Sequence, residues 1–235
     1  RQEKKRCSFV LDDKKIAFIT CVNKNEIYQE AMLYLQHLQM PEGMQAEYIP
    51  VLGASSMAAG YNEGMKRSNA KYKVYLHQDT LIVNPHFAAD LLHIFRDERI
   101  GLLGVIGCRS LPKTGIWWDG LRVYGRVLHA CEAESVTDTQ CMQPTEEYMA
   151  VESVDGLMLA TQYDIPWRED LFTGWHFYDT SACREFARRG YQVVVPRQED
   201  FWCIHCPKEK PLSPSYAKYQ RIFLHEYGKE LHPEV

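Results

Sequence analysis

The sequence predicts an α/β protein with a mostly parallel central sheet and helices on both faces. Three observations predict it. Short, nearly continuous apolar runs recur at residues 16–22, 73–76 and 100–106, as they do in strands buried on both faces. Segments with apolar residues at helical spacing separate them, and alternating strands and helices imply parallel strands joined by helical crossovers. The chain has 235 residues, 46% hydrophobic and 25% charged. That is ordinary globular composition, and a chain of this length can bury a large core without staples.

The elements follow in order. Residues 16–22 form the first strand. Ile27, Ala31, Leu35 and Leu38 share one helical face over 25–39, and Pro41 with Gly43 ends that helix. A second strand covers 47–52. Residues 53–56 then make a turn whose last residue, Ser56, caps a helix running to about Asn69, weakened by Gly60 and Gly64. The third strand, 73–76, runs directly into His77, Gln78 and Asp79. Asn84 followed by Pro85 reads as a helix start, with Phe87, Leu91, Leu92 and Phe95 inward. A fourth strand covers 100–106. Residues 108–150 carry a loop with Trp117, Trp118, Asp119 and Gly120, then a hairpin around 122–129. Residues 151–160 read as one or two strands broken at Asp155 and Gly156. A helix over 177–189 stops at Gly190, a strand fills 191–195, and an amphipathic helix closes the chain over 215–229. With no repeat or low-complexity linker, one domain over 1–235 is expected: residues 15–107 and 108–206 as its halves, and 207–235 as a C-terminal helix.

Charge and cysteines limit the function classes. Lys plus Arg number 27 and Asp plus Glu 31, a net charge of −4. That argues against a nucleic-acid partner held by a broad basic surface. No run approaches 18 consecutive apolar residues, so no transmembrane helix is expected. Residues 1–6 are charged with no apolar segment behind them, unlike a secretory signal. Eight cysteines lie partly inside apolar runs, Cys21 and Cys183 among them. They read as buried thiols of a cytoplasmic protein. Cys203 and Cys206 form the only CxxC, and a structural zinc usually needs a second knuckle.

Ligands of open α/β sheets bind beyond the carboxyl ends of the strands. That selects Thr20–Asn23, Gly53–Ser56 and His77–Asp79. His77 and Asp79, two apart on extended backbone, lie on one side of the chain. A carboxylate with an imidazole suits Mn²⁺, and oxygen ligands alone suit Mg²⁺. Read from spacing alone, Asp79 is better taken as capping the turn into Leu81, with His77 a satisfied histidine at the core edge. Asp179 before a helix is, read alone, a cap.

The run Asn62, Gly64, Val74–Leu76 and Gln78–Asp79 resembles the nucleotide-sugar half of family-2-like glycosyltransferases of GT-A fold. There an Asn-x-Gly helix and an apolar strand precede an Asp-x-Asp motif. Here the motif reads His77-Gln78-Asp79, with its first carboxylate replaced. The strand through Thr20 to Asn23 is similar to the one whose end holds the nucleobase and ribose. Gly53–Ser56 stands where the family often has an acidic residue. Asp155–Leu159, Gly174–Asp179 and Arg189–Val195 resemble the acceptor half. The HQD form is particularly similar to bacterial proteins of capsule and surface-polysaccharide synthesis.

The resemblance, over residues 15–206, implies a metal-dependent transferase. Its donor would be a nucleoside-diphosphate sugar of UDP or GDP type, and its acceptor a saccharide or other hydroxyl. Thr20, Asn23, Gly53, Asn62 and Asp79 would hold the donor, and Asp79, His77 and His205 the cation, Mn²⁺ or Mg²⁺. Asp179 would be the base of an inverting displacement. Trp117, Trp118, Asp119, Asp155 and Trp175 would meet the acceptor, since aromatic faces suit the C–H surface of pyranose rings. Such a protein is compatible with peripheral membrane association. Two other readings compete. A nucleotidyltransferase would want a glycine-rich loop after the first strand, and Thr20–Lys24 contains no glycine. A non-catalytic module that keeps the fold is the third.

Overall fold

The computed structural model describes residues 10–131, 135–206 and 213–231. The charged start at 1–6 and parts of the expected C-terminal segment, 207–212 and 232–235, lie outside the described residues. The elements in chain order are β1 (Asp12–Val22), α1 (Asn25–Gln36), β2 (Gln45–Leu52), α2 (Met57–Lys66), β3 (Ala70–Leu76), β4 (Thr80–Ile82) and α3 (Phe87–Ile94). There follow β5 (Ile100–Gly104), β6 (Ile106–Cys108), β7 (Val123–Cys131), β8 (Ser135–Gln140), β9 (Tyr148–Val151), β10 (Ser153–Val154) and β11 (Met158–Thr161). The chain closes with α4 (Tyr178–Arg188), β12 (Gln192–Pro196), β13 (Cys203–His205) and α5 (Ser215–Tyr227).

The main sheet has seven strands in the order β2-β1-β3-β11-β5-β12-β9. Its strands alternate strictly between two cores. Ile16 and Phe18, Val74 and Leu76, Leu103, Met158, Ala160 and Val194 pack on the side of α1 and α3. Ala17 and Ile19, Tyr75, Leu102, Leu159, Val193 and Val195 pack on the side of α2 and α4. A strand with both faces buried is apolar at nearly every position, and helices cover both faces as expected. The sheet is mixed in detail. β1 is parallel to β2 and β3, and β5 to β12, while β11 runs antiparallel to both its neighbours and β9 to β12.

A second sheet, β10-β6-β7-β13-β4 with β8 on β7, joins β4 and β6 to strands of the second half. The expected hairpin is longer than its apolar pattern suggested, because β7 and β8 pair from Arg126↔Gln140 to Cys131↔Ser135. β13 and β4 are short strands that become visible only through pairing, antiparallel with each other and, for β13, parallel with β7.

Two readings of helix caps change. Asn84 is not the cap of α3; His86 is, and the Asn84 side chain instead accepts from the His86 N–H at 2.9 Å and donates to Asp90 at 2.8 Å. Asp179 is not a cap either, because α4 is preceded by Phe177. Ser56 caps α2 as expected, its Oγ accepting from Ala59 N–H at 3.1 Å. Gly60 and Gly64 do not end α2, which stops at Lys66. A Cβ at Gly60 would overlap the Cys21 sulfur, and one at Gly64 would overlap Ile19. Both glycines let the helix lie close on β1. Cys21, Cys108, Cys183 and Cys203 are buried thiols, and burial pushes Cys21 and Cys183 up to about 12.

Candidate active site

Strand register brings the loops together. Val22 lies beside Leu52, and Thr20 beside Leu76. Asn23, Gly53 and the segment from His77 to Asp79 therefore leave the sheet at one edge. Gln78 locks two of these loops. Its Oε1 accepts from the N–H groups of Asn23 and Lys24, both at 3.0 Å, and its Nε2 donates to Asn23 Oδ1 at 2.7 Å. Sequence reasoning gave Gln78 no role, since an amide between two metal-capable residues carries no signal of its own. Thr20 is buried within β1. Asn62 is engaged elsewhere: its Nδ2 donates to Trp167 O at 2.9 Å and its Oδ1 accepts from Trp167 N–H at 2.8 Å. The buried amide thus ties α2 to the loop at 167.

β4 pairs with β13, setting His205 opposite Thr80, and Cys206 N–H donates to Asp79 O at 2.9 Å. That pairing carries His205 to the HQD segment from more than 120 residues away in sequence. Asp79, His77 and His205 offer ligand atoms within 4.8 Å of one another. His205 Nε2 stands 3.5 Å from Asp79 Oδ1. Burial disfavours charge on Asp79, but the His205 hydrogen bond and the two imidazoles hold its pKa below the usual carboxylate value. Burial, with His205 beside it, lowers the pKa of His77 and keeps that imidazole neutral. One carboxylate and two imidazoles fit a divalent ion such as Mn²⁺.

A cleft of about 380 Å³ begins at His77 and His205 and runs past Asp155 and Asp179 to Trp118, Trp175 and Tyr216. Burial, then the nearby Asp155 carboxylate, raises the Asp179 pKa to about 7, against hydrogen bonds from backbone N–H groups including Thr180 at 2.8 Å. A carboxylate that titrates near neutrality suits proton abstraction. Asp155 Oδ1 accepts from Leu157 N–H at 2.8 Å, which fixes the turn before β11.

The two tryptophans of the loop divide their tasks. Trp117 is buried and meets Trp118 edge to face at 5.6 Å, while Trp118 and Trp175 are each 45% exposed. Exposed aromatics beside a cleft mark a binding surface more often than packing. Asp119 does not line the cleft; its carboxylate accepts from Thr114 Oγ1 at 3.2 Å within the loop. Tyr216 of α5 was missed from the sequence. It packs against Trp118, His176 and Phe177, although an aromatic on a closing amphipathic helix reads as core. A larger depression of about 600 Å³ lies between α3 and residues 197–202. It gathers no metal-capable trio like that of the cleft.

Residues 17–227 match the model of a family described as "Glycosyltransferase like family". The chain belongs to that family. That membership supports a transferase, and the α/β architecture matches that of GT-A glycosyltransferases. No curated protein sequence matches it. Among solved structures it is similar to Staphylococcus aureus TarS 1–349 in complex with UDP-GlcNAc, with a TM-score of 0.60 and 8% identity, covering 94% of this chain and 68% of that one. It is also similar to the mannosyltransferase PcManGT from Pyrobaculum calidifontis in complex with GDP-Man and Mn²⁺ (TM-score 0.54, 11% identity, 92% and 70% covered). A third likeness is to a Drosophila β-1,4-galactosyltransferase 7 mutant with manganese, UDP-Gal and xylobiose (TM-score 0.53, 11% identity, 94% and 82% covered). At such identities the likeness is one of fold. The chain spans 60% of TarS 1–349 in one structure and 37% of a longer TarS chain in another. No helix among the described residues is long and apolar enough to cross a membrane.

Proposed function

We propose that this chain is a metal-dependent, inverting glycosyltransferase. Its donor is a nucleoside-diphosphate sugar of UDP or GDP type, its acceptor a hydroxyl of a saccharide, and its setting bacterial surface-polysaccharide synthesis. The observation that carries the reading is the Asp79–His77–His205 trio at the mouth of a cleft that also holds the Asp179 carboxylate and two exposed tryptophans. The UDP-, GDP- and manganese-bound complexes among the structural neighbours support the donor class and the metal. Residues 15–107 carry the donor side and residues 108–206 the acceptor side of one domain.

Asp79, His77 and His205 would hold the cation, which when bound offsets the charge that builds on a departing diphosphate. The loops at Thr20, Asn23 and Gly53 border the nucleotide, and Gln78 holds the Asn23 loop in place. Trp118 and Trp175 stack on the acceptor and exclude water. Asp179 takes the proton of the attacking hydroxyl as its oxygen bonds to the anomeric carbon. The bond from that carbon to the phosphate oxygen breaks, and the nucleoside diphosphate leaves with the electron pair. One displacement inverts the anomeric configuration.

The test is hydrolysis or transfer with a panel of UDP- and GDP-sugars and Mn²⁺. Release of UDP or GDP that stops with EDTA and returns with excess Mn²⁺ is expected, with a product of inverted anomeric configuration by NMR. Thermal stabilisation by nucleoside triphosphates alone would favour a nucleotidyltransferase. No response to any nucleotide would favour a non-catalytic module.

A further inference from the structure

Tyr178 lies between the two halves of the site, and its surroundings over-determine its position. The preceding residue, Phe177, has φ 61°, the only positive φ of a non-glycine among the described residues. A bulky residue enters that region at a cost, and such strain gathers at functional sites. The turn sends Tyr178 inward as the first residue of α4. There its ring meets Tyr61 edge to face at 5.8 Å and Trp167 at 6.2 Å. Its hydroxyl donates to Gly156 O at 3.2 Å and lies 2.5 Å from His77 Nε2. Glycine is required at 156, because a Cβ there would overlap this hydroxyl and come within 3.1 Å of Asp179 Cβ.

A tyrosine hydroxyl has one hydrogen. With that hydrogen given to Gly156 O, the oxygen accepts, and the partner at His77 must be an Nε2–H donor. The lone pair of His77 then sits on Nδ1. We infer that Tyr178 is a positioning residue that fixes His77 as its Nε2–H tautomer, with Nδ1 free to bind a divalent cation together with Asp79 and His205. The carbonyl–hydroxyl–imidazole chain plays the part that a carboxylate plays behind many metal-bound histidines, setting tautomer and ring orientation. It also joins a metal ligand to the first turn of the helix that carries Asp179. The inference rests on the metal reading of the trio given above.

Two measurements on the whole chain separate the inference from that reading. ¹⁵N–¹H NMR of the imidazole nitrogens reads the tautomer of His77 without any metal. Titration with Mn²⁺ alone, followed by EPR of the free ion, reads affinity. The wild type should show His77 as Nε2–H and bind one Mn²⁺. Tyr178→Phe keeps the ring among Tyr61 and Trp167, so its circular dichroism should match the wild type. Its His77 should lose the single tautomer, and its Mn²⁺ affinity should fall about 10- to 100-fold. Adding Tyr178→Phe to His77→Ala should weaken Mn²⁺ no further than His77→Ala alone. An unchanged tautomer or an unchanged affinity in Tyr178→Phe, with His77→Ala still impaired, overturns the role of Tyr178 and leaves the metal reading standing. A wild type that binds no Mn²⁺, with or without UDP or GDP, overturns both.

Discussion

The donor-side and acceptor-side halves build their parts of the site in different ways. Up to β3 the chain runs as parallel strands and crossover helices, and the functional groups sit on short loops at strand ends. Those loops are held by backbone pairing and by the Gln78 amide, which spans 55 residues to Asn23. From residue 108 onward the chain adds mostly antiparallel strands and long loops, and completes a second sheet on β4 and β6. Apart from His205, its functional groups are two half-exposed tryptophans and two carboxylates at the cleft beside Tyr216 of α5. The first arrangement suits a ligand part that does not vary, a nucleotide with its diphosphate. The second suits a surface shaped to one acceptor, because loops on a rigid scaffold carry specificity. The comparison predicts that variants of the first half, with His205 that β13 returns to it, act on donor binding, and the other variants of the second half on turnover and acceptor KM.

The largest separation should come from Asp179→Asn. Turnover should fall about 100-fold or more, the usual share of a positioned base, while calorimetry should find UDP or GDP binding unchanged. The wild-type rate should depend on pH in the matching sense. The ionised carboxylate is the active form, so kcat should rise through pH 7 and fall about tenfold per unit well below it. Stability should move the other way. The folded-state pKa lies above the ordinary carboxylate value, so the favourable contribution of the protonated group is present at low pH and is lost as pH rises from about 4 to about 7. Asp179→Asn should therefore melt at least as high as the wild type at pH 8.

Gly156→Ala should come next, since its methyl would overlap Tyr178 and crowd Asp179. Overpacking of this kind costs about 1–3 kcal/mol, readable as a lower midpoint in urea, with turnover lost in the remaining folded protein. Trp118→Ala and Trp175→Ala should raise acceptor KM severalfold and leave stability within about 0.5 kcal/mol, as for exposed positions generally. The smallest effect belongs to Gln78→Ala. Losing its bonds to Asn23 and Lys24 should weaken nucleotide binding by about 1 kcal/mol, roughly fivefold in Kd, with acceptor KM unmoved. A change confined to acceptor KM would erase the division between the halves.

Much of the first half was legible because its signals are local. Residues 16–22 read as a doubly buried strand from their own apolarity, and Ser56 as a cap from its place before a helix. The HQD segment was marked by following a strand directly. What escaped depends on long-range pairing. β4 is three residues long and is a strand because β13 pairs with it, and β13, also three residues long, is held between β4 and β7. The Asn62 amide looked like a ligand group because its partner, the Trp167 backbone, lies 105 residues away. Tyr178 was hidden among five consecutive aromatic or acidic residues, where nothing in the sequence marks which side chain turns inward. The left-handed Phe177 makes that choice.

The central claim is that Asp79, joined by His77 and His205, makes nucleoside-diphosphate binding depend on a divalent ion. Isothermal titration of UDP and GDP into wild type and Asp79→Ala, each with Mn²⁺ and with EDTA, tests it most directly. The wild type should bind one of the two nucleotides with Mn²⁺ and lose it in EDTA. Asp79→Ala should bind neither under either condition, with an unchanged circular dichroism spectrum, while His77→Ala and His205→Ala keep weakened Mn²⁺-dependent binding. Mn²⁺-dependent binding that is undiminished in Asp79→Ala would contradict the account.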